Sequence, residues 1–391
     1  MRPLSEYEIS VGQVLQARVY DRGGKLLLEA GHVVGSETSR SALIARGYVM
    51  DDSGLTRAAG AAAARPIEST PVAIRKSSAP TPWPEKPVAG LARVREELAS
   101  IVRSLGRPDE ELGPALGDQL NELGTRLVRY VGQDPDCALA VMQLSSREDG
   151  PASRPVHAAI LTDLLARKLD LAEAERNSLI GAALTFDCTL SRLADVFNEQ
   201  RAELTDEQRR AIQDHPVCAV QSLRALGVDD PIWIDAVAQH HERMDGSGYP
   251  LGLQGDAISR GARIIALVDI YCALIRPRAY RGAVSATEAM RAIFLERGKL
   301  VDEGLAASMI REIGVFPPGA LVRLEKGEIG LVYRRGEVPG KPRVRLLLDR
   351  MGRPIADRPE HDSSTAGEGI AEALSAERYQ GLLTGQIKLW E

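Results

Sequence analysis

The stretch His240–Pro250, HHERMDGSGYP, decides how the rest of the chain is read. Two histidines stand side by side. Neighbours on a helix point about 100° apart, so His240 and His241 can serve one site only near a helix end or between two metals. An end is at hand, because Asp245-Gly246-Ser247-Gly248-Tyr249-Pro250 cannot continue a helix and its glycines permit tight turns.

Outward from that point, Ile264 to Leu274 is apolar except for Asp269, on a helix expected to be buried all round. An unpaired buried carboxylate costs several kcal/mol, so Asp269 must be protonated, paired with Arg263 or Arg278, or bound to a cation. His215 precedes Pro216, Asp187 lies in a Leu-rich helix, and His157 shares a helix face with Leu161, Leu164, Leu165 and Lys168. A histidine on an apolar face is more often a hydrogen-bonded core residue than a ligand. Histidines and buried aspartates that converge in one bundle, however, suit an imidazole–carboxylate site for iron, manganese or zinc.

The composition sets limits. Of 391 residues, 44% are hydrophobic and 26% charged, and the net charge is −5. That balance suits a soluble globular protein and argues against a grip on nucleic-acid polymer or insertion into a membrane. The start, MRPLSEYEIS, lacks the layout of a signal peptide, so a cytoplasmic address is expected. Aromatics make up only 4%, which points to helices built on Leu, Ala, Val and Ile. The cysteines at 137, 188, 218 and 272 are widely spaced, with neither a CxxC pair nor a disulfide framework.

The run His240–Pro250 resembles the signature of the HD-GYP domain family, and the resemblance extends over about Pro151 to Ile313. LTDEQRRAIQDHP (Leu204–Pro216) is similar to the stretch that ends in a ligand histidine. ARIIALVDIYCAL (Ala262–Leu274) is similar to the helix that carries a ligand aspartate. His157 matches the first-helix histidine. Arg278, Tyr280 and Arg281 resemble the "RPYR" that follows, with Ala279 in place of proline. The resemblance implies an all-helical domain that holds iron or manganese and hydrolyses cyclic di-GMP. It assigns His157, Asp187, His215, His240, His241 and Asp269 as metal ligands, Asp187 as catalytic and Arg278 as substrate-binding. It also implies that the loop of Asp245, Gly246, Gly248, Tyr249 and Pro250 meets diguanylate cyclase (GGDEF) domains.

Departures from the family pattern matter as much. The HD dyad followed by Ile-Gly-Lys appears as Phe186-Asp187-Cys188-Thr189-Leu190, so one ligand and one phosphate-facing lysine are gone. Ser153 stands where some relatives carry a glutamate ligand, and Cys272 replaces a second aspartate. The expectation is a degenerate member that holds about one iron or manganese ion. It would bind cyclic di-GMP or its linear dinucleotide, or a partner, with weak or no hydrolysis. An active phosphodiesterase with an altered metal site and a metal-free structural module are the alternatives.

The expected architecture is mainly α, with five segments. Residues 1–54 form a small N-terminal α/β module: strands over Val14–Tyr20 and Lys25–Glu29, then a helix over Ser36–Arg46. Residues 55–90 are an Ala/Pro-rich linker, residues 91–150 a helical bundle segment, and residues 151–315 the HD-GYP domain. Residues 316–391 form a small β module and tail, with strands over Ala320–Leu324, Glu328–Tyr333 and Val344–Leu348, a loose stretch over Arg350–Glu368 and a last helix over Ala371–Leu383.

Overall fold

A computed structural model describes residues 83–105, 115–145, 152–190, 203–276 and 284–391, with Gly150, Gln200 and shorter stretches within residues 2–49. The fold is mainly α. The helices are α1 (Pro87–Leu105), α2 (Ala115–Gln133), α3 (Pro135–Ser145), α4 (Ser153–Lys168), α5 (Glu173–Thr185), α6 (Asp206–Ala225), α7 (Pro231–Gln239), α8 (Arg260–Ile275), α9 (Ala286–Leu295) and α10 (Glu303–Ile313). Among the described residues no helix is long and apolar enough to cross a membrane.

The helical periodicity places the core. On α1, Leu91, Val94, Leu98, Ile101 and Val102 are buried, and on α2 so are Leu120, Leu123 and Leu127. Helices α4 and α8 and the part of α5 from Ser178 onward are buried on nearly every face and share one continuous apolar cluster with α1 and α2. Capping residues mark where helices begin. Thr205 and Gln208 form a capping box at α6, Asp230 caps α7 just before Pro231, and Ser259 caps α8.

Helix α1 starts at Pro87, inside the segment expected to be linker. Proline is well suited to the first position of a helix, where its missing N–H has no intrahelical partner to lose. The preceding residues are docked as well. Trp83 lies under the guanidinium groups of Arg93 and Arg126, at 4.7 and 4.0 Å, and Tyr130 donates to the Pro84 carbonyl at 2.7 Å. The rest of the expected linker, residues 55–82, lies outside the described residues.

One close approach sets the spacing of the two helices that frame the site. A Cβ at Gly181 of α5 would come within 2.4 Å of the Trp233 ring of α7, and the Trp233 Nε1–H donates to Thr185 Oγ1 at 2.8 Å. A methyl group there forces the helices apart. Gly181→Ala is therefore expected to destabilise the protein by about 1–3 kcal/mol, the range for overpacked cores, despite alanine's better helix propensity. Urea unfolding checks this, and a midpoint equal to or above wild type contradicts it.

Two small sheets flank the bundle. In the N-terminal one, β1 (Arg2–Pro3), β2 (Val19–Tyr20), β3 (Leu26–Leu28) and β4 (Tyr48–Val49) pair antiparallel in the order β1-β4-β2-β3. The expected helix over Ser36–Arg46 lies outside the described residues except for Leu43, Ile44 and Arg46, which are helical. In the C-terminal one, β5 (Leu321–Leu324), β6 (Ile329–Arg334), β7 (Arg343–Leu348), β8 (Glu360–Asp362) and β9 (Ile370–Ala373) are antiparallel in the order β8-β7-β6-β5-β9.

The first three C-terminal strands sit where the alternation of Val, Leu and Ile puts them. The helix expected over Ala371–Leu383 does not form. Ile370–Ala373 instead completes the open edge of β5, pairing Val322 with Ala373, and only short helical turns follow. An available sheet edge overrides weak local helix preference. The stretch expected to be loose, Arg350–Glu368, contains β8 and a turn in which the Asp349 carboxylate accepts from the Met351 and Arg353 N–H groups at 2.9 Å. Arg335 pins this module to the bundle by pairing with Asp136 of α3 at 2.5 Å and Glu312 of α10 at 2.8 Å.

Candidate functional site

Helix α7 ends at Gln239, and His240 is its C-terminal cap. The adjacent pair therefore sits at a helix end, where the backbone turn lets both rings face one space. His215 of α6 joins them. The ring centroids of His241 lie 4.2 Å from His240 and 4.9 Å from His215, and ligating atoms of all three lie within 4.8 Å of one another.

Their tautomers follow from the backbone. His215 Nδ1 faces the Ile212 carbonyl at 2.6 Å and His240 Nδ1 faces that of Val237 at 2.7 Å, so each ring carries its proton on Nδ1. The two Nε2 atoms then point lone pairs at each other across 3.1 Å. Asp187 Oδ1 adds a further acceptor 3.4 Å from His215 Nε2. Protonation does not relieve this crowding. Burial pushes the pKa of all three imidazoles down, for His240 to about 3 with the neighbouring His215 charge helping. Converging neutral imidazoles beside a carboxylate are the donor set of a single transition ion, and the residues fit one.

The carboxylates are arranged differently from the expectation. Arg154, in the first turn of α4, reaches between them. Its Nη1 lies 2.6 Å from Asp187 Oδ2 and its Nη2 pairs with Asp269 Oδ1. Burial alone would lower the guanidinium's pKa, but the Asp187 and Asp269 charges outweigh it and raise it. Burial raises the Asp269 carboxyl, and Arg154 opposes the rise. The partners expected for Asp269 are elsewhere. Arg263 pairs with Asp256 at 3.2 Å and Asp302 at 3.0 Å, while Arg278 lies outside the described residues.

His157 does not join the cluster. It is buried one turn along α4 from Arg154, with Nε2 3.2 Å from Ser145 Oγ. The arginine that does face the carboxylates was missed in the sequence. Its signal is a charged residue in the first turn of a helix whose next dozen positions are buried. Glu242 was missed too, although it lies inside the quoted run. Its buried carboxylate accepts the Leu251 N–H at 2.7 Å and the Leu253 N–H at 2.8 Å, and so shapes the loop from within.

The departing residues are packed as apolar neighbours. Phe186 is fully buried, its ring centroid 5.1 Å from that of His240 in a T-shaped arrangement and 5.5 Å from the Arg154 guanidinium carbon. Leu190 is half-buried. Ser153 and Cys272 are buried, and burial pushes the Cys272 thiol up, with Asp269 adding to the rise.

The Gly-Tyr-Pro loop lies against the cluster. Tyr249 stacks on His241 with centroids 4.6 Å apart, and the Tyr249–Pro250 peptide is cis. The Asp245 carboxylate accepts from the Ser247 N–H at 2.9 Å. Gly246 has φ +79°, and a Cβ at Gly248 would come within 2.4 Å of the Arg243 nitrogen, so both positions require glycine. The N-terminal module covers the far end of the loop. Arg46 donates to the carbonyls of Leu251 and Gly252, and Leu251 packs on Val19, Leu27, Leu28 and Leu43.

Comparison with known proteins agrees with this arrangement. The HD domain family matches residues 140–305. Cyclic di-GMP phosphodiesterase PA4108 of Pseudomonas aeruginosa is 27% identical over 283 residues, 71% of this chain and 66% of the relative. The 3'3'-cGAMP-specific phosphodiesterase 3 of Vibrio cholerae is 33% identical over 41% of this chain and 34% of its own. RpfG of Xanthomonas campestris, a cyclic di-GMP phosphodiesterase response regulator, is 30% identical over 42% of this chain and 44% of its own. The chain thus spans between a third and two thirds of the length of these relatives. Residues 140–305 thus match an HD domain, and the paired histidines at a helix end and the Gly-Tyr-Pro loop give that segment the pattern of the HD-GYP type.

Proposed function

We propose that this protein is a degenerate HD-GYP member that binds a cyclic dinucleotide without efficiently hydrolysing it, and transmits the bound state to a partner. One observation carries the reading: the Arg154 guanidinium bridges Asp187 and Asp269, the two carboxylates a metal cluster would use. A fixed cation there removes both the need and the ligands for a second ion. His215, His240 and His241 would hold one ion, iron or manganese, with Asp187 at its edge. When bound, such an ion polarises a phosphate oxygen and acidifies water.

The chain's own residues supply the rest. Arg154 presents positive charge beside the imidazoles, and Phe186 packs an apolar ring between them and the guanidinium. Leu190 offers no charge to a phosphate. Asp187, held by Arg154, is a poor proton acceptor for an attacking water. The ligand is cyclic di-GMP or its linear dinucleotide, with the relatives' names extending the class to cGAMP. The Gly-Tyr-Pro loop of Asp245, Gly246, Gly248, Tyr249 and Pro250 is the docking face for a diguanylate cyclase (GGDEF) partner. The three-imidazole cluster favours one other reading, slow hydrolysis on a single ion.

Metal analysis of anaerobically purified protein, paired with cyclic di-GMP binding and turnover assays, tests the proposal. The expected result is close to one iron or manganese per chain, lost in His240→Ala, together with nucleotide binding and turnover at least 100-fold below active relatives, since a missing ligand weakens such sites by more than the 10–100-fold typical of outer partners. Two ions per chain with rapid turnover would sink it. Metal-free protein that does not bind nucleotide would favour a structural role.

A further inference from the structure

Cys188 and Cys218 belong neither to the donor set nor to the Gly-Tyr-Pro loop. Cys188 stands where the HD-GYP pattern has isoleucine, in the turn that follows α5, and it is buried. Cys218 lies on α6 and is exposed. Neither is in a disulfide. The other two cysteines are buried elsewhere, Cys137 near Asp134 and Arg334, and Cys272 near Asp269.

The turn and the helix are clamped at one residue. Asp187 Oδ1 lies 3.4 Å from His215 Nε2, and the Thr189 hydroxyl donates to the His215 carbonyl at 3.2 Å. Cys188 is the residue between these two anchors. Cys218 is three positions beyond His215 on α6, a spacing that puts two side chains on one face with Cβ atoms about 5–6 Å apart. The two thiols are thus brought to the same place by contacts that neither of them makes. Their electrostatics agree with this. Burial and then Asp187 push the Cys188 thiol up, and Cys218 adds to the rise.

We propose that Cys188 and Cys218 form a reversible disulfide under peroxide, tying the turn that carries Asp187 to the helix that carries His215. Peroxide reaches the exposed Cys218 first. The Cys218 sulfur forms an S–O bond as the O–O bond breaks, and the departing hydroxide takes the thiol proton and leaves as water. The Cys188 sulfur then attacks the resulting sulfenic acid. The S–S bond forms, the S–O bond breaks, and a second water leaves with the Cys188 proton. In sum, two thiols lose two electrons and one peroxide is reduced to two waters. A disulfide holds its Cβ atoms about 3.5–4.5 Å apart, so the bridge fixes the turn on α6, and Asp187 beside His215 with it. A bridge with one sulfur at the surface is of the labile kind that thiols reduce again. The oxidant is met at the surface, and the constraint is imposed where the imidazoles and the carboxylate meet. The bridge itself does not depend on which ion or nucleotide the site holds, so it stands or falls apart from the functional reading.

The test is peptide mapping by mass spectrometry, without reduction, after the full-length protein is treated with hydrogen peroxide and its remaining thiols are alkylated. The expected product is a monomer cross-linked between Cys188 and Cys218, with two of the four thiols lost and both returned by dithiothreitol. Cys188→Ala removes the resolving thiol. Dimedone should then label a sulfenic acid at Cys218 at least tenfold more than in wild type, where the bridge consumes it. Cys218→Ser changes an exposed position and should lose no thiol at the same dose. Four outcomes would each overturn the assignment: four intact thiols in peroxide-treated wild type, a Cys218–Cys218 dimer as the main product, a bridge that includes Cys137 or Cys272, or equal dimedone labelling of Cys218 in wild type and Cys188→Ala.

Discussion

Replacing Arg154 with methionine is expected to lower the melting temperature of metal-free protein by on the order of 10 °C, and added Mn²⁺ should restore much of the loss. The reason is charge, since the methionine retains most of the apolar stem. Asp187 and Asp269 are nearly buried, and Arg154 is the cation that bridges them. Removing one partner of a buried ionic group costs about 3–5 kcal/mol, because the charges left behind are uncompensated. For a domain of this size each kcal/mol corresponds to about 2–4 °C. The metal arm carries the diagnosis. Two freed carboxylates beside three imidazoles form a better cation site than the wild type has, and a ligand that binds only the folded state stabilises it by mass action. Differential scanning calorimetry with EDTA and with Mn²⁺ reads both effects. A melting temperature that falls equally in both buffers would show that Arg154 acts through packing alone.

The second large effect concerns turnover. Wild-type protein should hydrolyse cyclic di-GMP slowly or not at all, and restoring one residue should not repair it. Phe186→His returns a donor beside His240 but leaves the guanidinium between the carboxylates. Leu190→Lys returns a positive charge near a phosphate but has no activated water to assist. Arg154→His clears the bridge and places an imidazole where α4 faces Asp187 and Asp269. The three losses act on one transition state, so their repair should be strongly non-additive. Each single variant should stay within about tenfold of wild type. The triple variant should gain at least 100-fold, roughly the worth of one phosphate-stabilising group, with metal content rising from about one ion toward two. Product analysis by chromatography and metal counting on the same samples check this. Rapid turnover by the unmodified protein, abolished by Asp187→Ala, would instead establish an active enzyme that works with its arginine in place.

Much of the bundle was legible because burial writes its period into helices. The spacing of Leu91, Val94, Leu98 and Ile101 needs only one face of α1 to be apolar, and the all-apolar run around Asp269 needs α8 to be surrounded. The site was half legible. His240 and His241 were tied together by the turn that follows them, and a short string with few possible geometries is readable. Arg154 was not, because its bond to Asp269 spans 115 residues of chain and nothing local distinguishes an arginine that turns inward from one that faces solvent. The same gap misplaced His157. Two residues one turn apart on a helix buried nearly all round can face different spaces, and only the neighbouring helices decide which one meets the carboxylates. At the C-terminus, the Ala-rich Ile370–Ala373 stretch became a strand for a reason outside itself, the unpaired edge of β5.

The contact between Arg46 and the Leu251 and Gly252 carbonyls gives the Gly-Tyr-Pro loop an occupant that is never diluted. A segment of the same chain competes at an effective concentration set by the covalent connection, whatever the abundance of the protein. Any outside protein that docks on the same carbonyls must therefore win against a competitor it cannot outnumber by being expressed more strongly. Its apparent affinity is its intrinsic affinity multiplied by the fraction of chains in which the module has lifted. Whatever loosens or tightens the module then tunes every such association at once, without touching the residues around the histidines.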